Sequence, residues 1–197
     1  MNLYDIFFDG ILKPIRYKHL EIITKHECKT IIDLGCGTGA QCHILSKHGY
    51  TVVGIDATKK MIQIAKNKKI DNTTFLCANI TENQYENNSF DCAILTMVLH
   101  PNNQEEITKI INEAKRIVTK QGIIIITDYD FGTPIKGKPV EGIIYIIESF
   151  AKPSHRNNYY EFMNQGGLEK IIKKQEHKIA ESYLFYNGSI KTCVIKP

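Results

Sequence analysis

Three glycines at alternate positions form the strongest chemical signal in the sequence. Gly35, Gly37 and Gly39 follow a predicted strand at residues 30–34 and precede a predicted helix at about 39–47. Glycines in such a turn let the backbone approach a ligand closely, and a helix N-terminus offers unpaired N–H groups. The turn therefore predicts a ligand site. A tight turn without a ligand is one alternative, and a dinucleotide is another, because Ala40 completes the looser G-x-G-x-x-A pattern.

Two aspartates narrow the choice of ligand. Asp33 stands just before the glycines, where a carboxylate would repel a pyrophosphate and attract an ammonium group. Asp56 ends a second predicted strand at residues 50–55, where a carboxylate can accept two ribose hydroxyls. Asp56 could equally cap the helix that starts near Thr58. Asp33 thus favours a ligand with an amino-acid end, whereas Asp56 alone does not separate NAD from S-adenosylmethionine.

These residues lie in a regular alternation of strands and helices. Nearly continuous apolar strands of this kind suit a parallel sheet that is covered on both faces, with right-handed crossovers. The sequence therefore predicts a doubly wound α/β fold. The strands are predicted at residues 30–34, 50–55, 74–78, 90–96 and about 123–127, and the helices between them at about 39–47, 58–68 and 103–118.

The two ends of the chain follow other patterns. The first 28 residues predict one or two helices, and helices are also predicted at about 141–151 and 158–173. Asn187-Gly188 between two apolar runs predicts a C-terminal hairpin. Residues 1–197 are therefore interpreted as one domain, with an N-terminal helical cap at 1–28 and a helical insertion at 129–177.

Five segments in order resemble class I S-adenosylmethionine-dependent methyltransferases, and most of all the branch with the ubiquinone/menaquinone C-methyltransferases and many small-molecule methyltransferases. The resemblance covers about residues 30–128 and implies S-adenosylmethionine as the cofactor. It also implies a Rossmann-like, seven-stranded, mostly parallel sheet whose antiparallel strand the C-terminal hairpin would supply. The segments are IIDLGCGTGA, VVGIDATKKMIQIAK, FLCANI, FDCAILTMVLHP and EAKRIVTKQGIIIITD.

The resemblance implies cofactor roles for residues near the ends of the first four strands. Asp33 and the backbone of residues 35–39 would hold the methionine end, and Asp56 would bind the ribose. Ala57 and Met61 would lie against the adenine, although Met61 could equally belong to the helix core. The residues assigned to the cofactor on this basis are Tyr17, Asp33, Gly35, Cys36, Gly37, Gly39, Asp56, Ala57, Met61, Asn79, Ile80, Thr96 and Met97.

The remaining cofactor roles concern the adenine and the sulfonium. Asn79 stands where the family often has an aspartate that contacts the adenine amino group, and an amide carbonyl can still accept that hydrogen bond. Ile80 would flank the ring, whereas Thr96 and Met97 would lie beside the sulfonium. A tyrosine near the N-terminus closes over the cofactor in related enzymes, and Tyr17 is the candidate here, with Tyr4 as an alternative.

Candidate catalytic residues follow the fourth and fifth strands. Methyl transfer requires alignment of the nucleophile, exclusion of water and sometimes removal of one proton. His100 could take that proton, or it could only pack beside the cofactor. His155 and Tyr159 lie in the polar and aromatic segment 129–165, which is interpreted as a cover over the acceptor or, alternatively, as an ordinary connector. Tyr129 and Tyr160 are the next candidates in that segment.

Composition limits the partners. The net charge is +4 at pH 7, but only three basic residues are arginines and the lysines are spread along the chain, which predicts no specific nucleic-acid binding. No signal peptide or membrane-spanning run is visible, so a cytoplasmic location is expected. Six cysteines without paired or metal-ligand spacing predict reduced thiols and no metal site. The oligomeric state, monomer or homodimer, stays open.

The leading hypothesis is methyl transfer to a small-molecule acceptor. The segment after the fourth strand lacks the Asn/Asp-Pro-Pro-Tyr/Phe motif that holds exocyclic amines, which argues against a nucleobase amine. A nicotinamide-dependent oxidoreductase and a non-catalytic S-adenosylmethionine-binding partner protein are the alternatives. Arsenic methylation is a narrower alternative raised by the six cysteines, most of which are predicted to be buried.

Overall fold

The computed structural model describes residues 3–131 and 153–197, with the side chains of the first helix described from Gly10 onward. Strands and helices alternate along most of the chain. The strands are β1 (Thr30–Leu34), β2 (Thr51–Asp56), β3 (Thr73–Cys77), β4 (Phe90–Thr96), β5 (Val118–Tyr129), β6 (Ile179–Phe185) and β7 (Ile190–Ile195). The helices are α1 (Leu3–Lys25), α2 (Ala40–Lys47), α3 (Lys59–Asn67), α4 (Gln104–Ile117), α5 (Pro153–Asn164) and α6 (Gly167–Lys174).

All seven strands form one sheet in the order β3-β2-β1-β4-β5-β7-β6. Strands β1 to β5 are mutually parallel, and β7 runs antiparallel to both β5 and β6. This confirms the predicted doubly wound α/β fold with an antiparallel C-terminal hairpin. The strand order reverses between β1 and β4, and ligands of such sheets bind at the carboxyl ends of the strands on either side of that reversal.

Both faces of the sheet are covered, which explains why the strands are apolar along their whole length. Ile31, Ile94 and Ile125 of one face pack with Ile22 and Leu45 from α1 and α2. The opposite face packs against α4, α5 and α6. Its buried residues include Ile32, Leu95, Ile124, Ile111, Phe162 and Leu168.

Helix α1 contributes to the cores on both faces of the sheet. Leu12 and Ile15 pack with the α4–α6 face, whereas Ile22 and Ile23 pack with the α2 face. The Tyr186 hydroxyl at the hairpin turn donates to the Ile11 carbonyl at 2.7 Å. The N-terminal segment, predicted to form one or two helices, is one continuous helix over Leu3–Lys25.

The helix predicted at 158–173 is in fact two helices. Gly166 and Gly167 have φ angles of +103° and +74°, which end α5 and start α6 in a new direction. A Cβ on Gly167 would lie 2.8 Å from the Cα of Asp130, so the chain approaches the end of β5 too closely for another residue. The helix predicted at 141–151 lies outside the described residues.

Two further features bear on the sequence predictions. Strand β5 begins at Val118, directly after α4 and about five residues earlier than predicted, because Val118 pairs with Phe90 before the register shifts at Cys92 and Ile123. The six cysteines are free thiols, and all except Cys77 are buried. Within the described ranges, no helix has both the length and the apolar character needed to cross a bilayer.

Candidate active site

The glycine turn after β1 combines close packing with one open position. Gly35, Gly37 and Gly39 have φ angles of +85°, +52° and +76°. A Cβ on Gly35 would lie 2.5 Å from Val98, and one on Gly39 would lie 2.7 Å from the Phe75 ring. A Cβ on Gly37 would meet no atom within 4 Å. Packing therefore accounts for two of the glycines, whereas Gly37 faces open space.

Asp56 connects the glycine turn to the start of α3. One carboxylate oxygen accepts the Gly37 N–H at 2.9 Å, and the other accepts the Thr58 N–H at 2.8 Å. Thr58 itself occupies the capping position of α3. Since each carboxylate oxygen has a second lone pair, Asp56 can bind the backbone and still accept hydroxyl groups from a ligand.

Asp33 is a nearly fully buried carboxyl, 2% exposed, beside the turn. Burial raises its pKa to about 7, although the Cys42 thiol, which donates to Oδ2 at 3.5 Å, and the charge of Arg16 oppose that shift. A cation placed beside Asp33 would favour its ionised form. The position therefore suits an ammonium group better than an anion.

The end of β4 carries an unpaired buried hydroxyl and a strained backbone position. The Thr96 hydroxyl is buried and has no hydrogen-bond partner within the described part of the chain, and a buried unpaired hydroxyl is costly. Met97 adopts a φ of +58°, which a residue with a side chain rarely does without a reason. Both lie where the strand order reverses, so the orphan hydroxyl fits contact with a bound group.

The residues assigned to the adenine flank the ends of β2 and β3. Ala57 and Asn79 are exposed, and Met61 and Ile80 are half-buried. The Asn79 carbonyl already accepts two hydrogen bonds from Thr81, both at 3.2 Å. Because a carbonyl oxygen has two lone pairs, it would have to release one of these bonds to accept an adenine amino group.

A half-open cavity of about 440 Å³ lies beside the end of β3. The exposed Leu76, together with Ala78 and Tyr85, gives it a partly apolar lining. Its volume is within the range of small-molecule pockets. This cavity offers apolar surface of the kind a planar ring requires, whereas Asn79 lines a different cavity together with Glu106 and Lys109.

A buried histidine–aspartate pair lies on the other side of the strand reversal. His100 Nδ1 is 2.7 Å from Asp128 Oδ1, and Asp128 is completely buried. The same carboxylate accepts the backbone N–H groups of Leu99, His100 and Tyr129 at 2.9, 3.2 and 2.8 Å. Asp128 thereby fixes both the loop after β4 and the orientation of the His100 ring.

Rings from α5 and β5 surround His100. The ring centroids of Tyr129, His155 and Tyr159 lie 4.7, 5.3 and 6.1 Å from that of His100. The Tyr160 ring is tilted against that of Tyr159, with a centroid distance of 5.5 Å. The structure thus brings together all three residues predicted to be catalytic. Asp128, the buried partner of His100, was missed, and its only sequence signal is a carboxylate at the end of the apolar run IIIIT.

Tyr17 is not brought into this group. It is 44% exposed and lines a separate cavity against the outer face of α2. The side chain of Tyr4, the other candidate for closing over the cofactor, lies outside the described residues. Ala40, which directly follows the glycine turn, lines the same cavity as Tyr17, and the contact of Tyr17 with the cofactor stays a prediction.

A second buried histidine, His19, attaches α1 to the sheet. Its Nδ1 is 3.1 Å from Gln41 Oε1, its Nε2 is 2.8 Å from Thr127 Oγ1, and Thr127 Oγ1 is 2.7 Å from Thr192 Oγ1. Burial lowers the pKa of His19 to about 4. Thr127 pairs in register with Thr96. This network was not predicted from the sequence.

The fold and site define the class of the protein. Residues 25–183 match the family described as "Methyltransferase domain". The chain therefore belongs to this family, and its sheet is that of a class I S-adenosylmethionine-dependent methyltransferase.

Individual relatives agree with this assignment. The chain is 26% identical over 150 residues to a ubiquinone biosynthesis O-methyltransferase of Bartonella tribocorum, an alignment that covers 73% of this chain and 58% of that relative. Its fold is similar to that of a Pyrococcus horikoshii protein (TM-score 0.72, 17% identity, 100% of this chain and 92% of that chain). It is also similar to magnesium protoporphyrin IX methyltransferase of Synechocystis, solved with bound SAH (TM-score 0.67, 15% identity, 100% and 89%).

Proposed function

We propose that this protein transfers a methyl group from S-adenosylmethionine to a small-molecule acceptor. The observation that carries the proposal is the buried Asp33 beside a glycine turn that Asp56 holds in place, both at the reversal of strand order. Family membership and the methyltransferase relatives support it. S-adenosylmethionine, when bound, supplies an electrophilic methyl group with a good leaving group attached.

Different residues of the chain bind the different parts of the cofactor. Asp33 pairs with the ammonium group of the methionine end, and the backbone around Gly35, Cys36, Gly37 and Gly39 accommodates its chain. Only the backbone of Cys36 takes part, because its side chain packs towards Gly54. Asp56 accepts the ribose hydroxyls, while Ala57, Met61, Asn79 and Ile80 surround the adenine. Thr96 and Met97 lie beside the sulfonium, and the unpaired Thr96 hydroxyl gains a partner there.

His100 is the proposed general base. Asp128 Oδ1 can only accept a hydrogen bond when it is ionised, so Nδ1 of His100 carries the proton that joins them. Nε2 is then the basic nitrogen of the neutral ring, which can remove a proton from the acceptor. His155 and Tyr159 contribute polar atoms next to it and exclude water. This arrangement suits an acceptor whose attacking atom carries a proton, such as a hydroxyl group.

The proposal also covers the domain organisation of the enzyme, its acceptor and its location. The chain forms a single methyltransferase domain in which α1 is an N-terminal cap and the 129–177 segment covers the acceptor. The acceptor is a small molecule, and specific nucleic-acid binding is not expected. Free, mostly buried thiols fit a reducing cytoplasm.

Binding and transfer are tested separately. Calorimetry should detect binding of S-adenosylhomocysteine, which keeps the amino-acid end and the ribose, and Asp56→Ala should weaken it by roughly 2–3 kcal/mol. A screen of acceptors with labelled S-adenosylmethionine, read by mass spectrometry, should then reveal label transfer. Absence of binding at millimolar ligand would remove the proposal. Binding of NADH in a fluorescence titration would favour an oxidoreductase, and binding without transfer to any acceptor would favour a non-catalytic partner protein.

A further inference from the structure

A cavity lies between α1 and α2, apart from the His100 cluster. It has a volume of about 300 Å³, and its lining includes no acidic residue. Three separate segments bring six basic or titratable side chains to it: α1, α2 and the residue that follows α3. These side chains are Lys13, Arg16, His43, Lys47, His48 and Lys68.

Several cationic residues elsewhere in the described structure form salt bridges. Lys25, Lys109 and Lys173, like Arg116, lie on other surfaces and each pair with a glutamate. In contrast, Lys13 and Lys47 have no acidic partner among the described residues. Lys68 bonds instead to the Thr38 carbonyl of the glycine turn at 2.8 Å. Three lysines, one arginine and two histidines therefore face one cavity whose lining includes no acidic residue, and an anion placed among them would be attracted by all of these groups that carry a positive charge.

A histidine inside the cavity responds to this positive field. Partial burial, and then the charges of Lys47 and Lys68, lower the pKa of His43. A bound anion would offset those charges and favour the protonated imidazole, which adds another donor to the site. The lysines, the histidines and the Tyr17 hydroxyl all supply hydrogen-bond donors at one place.

We propose that this cavity binds the phosphate or diphosphate group of a small molecule. Phosphate oxygens are strong acceptors for lysine and arginine donors. The volume lies at the lower end of the range for small-molecule pockets, which fits one or two phosphate groups. The proposal does not depend on methyl transfer. Because Lys68 also contacts the glycine turn, an anion held here would share that lysine with the Thr38 carbonyl.

The test uses the full chain and inorganic pyrophosphate in low salt. Calorimetry should show binding that weakens as salt is added, and Lys13→Ala/Lys47→Ala should weaken it at least tenfold. Lys120→Ala/Lys170→Ala, which removes two exposed lysines far along the sequence, is the control of equal net charge and should bind like the wild type. In an NMR titration, pyrophosphate should raise the pKa of His43.

Three results would overturn the proposal. These are no pyrophosphate binding in low salt, equal weakening in both double variants, or a His43 pKa that pyrophosphate leaves unchanged. Inorganic phosphate and a nucleoside diphosphate separate the sources of the ligand, since tighter binding of the latter supports a phosphorylated metabolite. A short RNA duplex that binds more tightly than pyrophosphate, and is lost in Lys13→Ala/Lys47→Ala, would assign the surface to nucleic acid instead. A negative result in any of these pyrophosphate, phosphate or RNA measurements leaves the methyl-transfer proposal unaffected, because cofactor binding is measured independently.

Discussion

Asp33 makes cofactor binding dependent on pH. Because burial raises its pKa to about 7, the carboxyl is mostly protonated at pH 6 in the free protein. An ammonium group pairs with the ionised form, so binding at pH 6 should release a proton and affinity should rise between pH 6 and 8. Calorimetry with S-adenosylhomocysteine in buffers of different ionisation enthalpy measures that proton. Asp33→Asn should bind more weakly and lose the dependence, and a wild type that releases no proton would contradict the role.

His100 should matter for turnover far more than for cofactor affinity. His100→Gln keeps a polar side chain of similar reach but supplies no base, so turnover should fall by roughly 10²–10⁴-fold. Affinity for S-adenosylhomocysteine should stay within a few-fold of the wild type. If His100→Gln turns over normally, His100 is a packing residue and the acceptor needs no base.

At the scale of elements, α5 should govern the acceptor. Tyr159 and His155 project from it towards His100. Tyr159→Phe keeps the ring and removes one hydroxyl, and His155→Gln removes an imidazole. Both should lower turnover with little change in cofactor affinity, whereas the exposed Glu161→Gln on the same helix should behave like the wild type. Loss of cofactor binding in Tyr159→Phe, or unchanged turnover in both variants, would show that α5 does not hold the acceptor.

His19, which attaches α1 to the sheet, makes the free energy of unfolding depend on pH. His19 has a folded pKa of about 4, below its ordinary value of 6.5, so the unfolded chain binds more protons and stability falls as pH drops through this window. Asp33 acts in the opposite direction. Its pKa is raised from 3.8 to about 7, so the stability it contributes is present at low pH and lost as pH rises. The two contributions should largely cancel in the wild type.

Asp33→Asn removes one of the two contributions and should reveal the other. Its free energy of unfolding should fall by about 2 kcal/mol between pH 6.5 and 4.5, at about 1.4 kcal/mol per pKa unit. Urea unfolding followed by circular dichroism at both pH values measures it. Adding His19→Gln should abolish most of this fall. A fall that persists in the double variant would come from other groups and would contradict the role of His19.

Elements that depend on local sequence patterns were predicted well, whereas contacts between residues far apart in the sequence were not. Strand β4 and the C-terminal hairpin were predicted almost to the residue, because apolar runs and Asn187-Gly188 act locally. The glycine turn, Asp33 and Asp56 were found because they adjoin one another in sequence or follow strand ends. The pairing of His100 with Asp128 depends on how β4 and β5 align, and the basic cavity on how α1 lies against α2. Neither arrangement has a periodic pattern to reveal it.

For the whole molecule, cofactor binding should appear as thermal stabilisation. A ligand that binds only the folded state at one hundred times its Kd adds about 2.7 kcal/mol. For a domain of this size, such a gain raises the Tm by roughly 5–10 °C. Thermal unfolding with and without S-adenosylhomocysteine measures the shift. The control is Asp33→Asn/Asp56→Ala, which lacks both carboxylates proposed to bind the cofactor and should show no shift. An equal shift in that variant would place the ligand elsewhere on the protein.

Strand β5 serves both halves of this molecule through two consecutive residues. Thr127 contacts His19 on the face covered by α1 and α2, and Asp128 contacts His100 on the face covered by α4 to α6. Adjacent residues of a strand point to opposite faces. A single peptide bond thus separates the contact that attaches α1 to the sheet from the contact that orients the proposed base. A shift of β5 would therefore disturb the position of α1 and the orientation of His100 together.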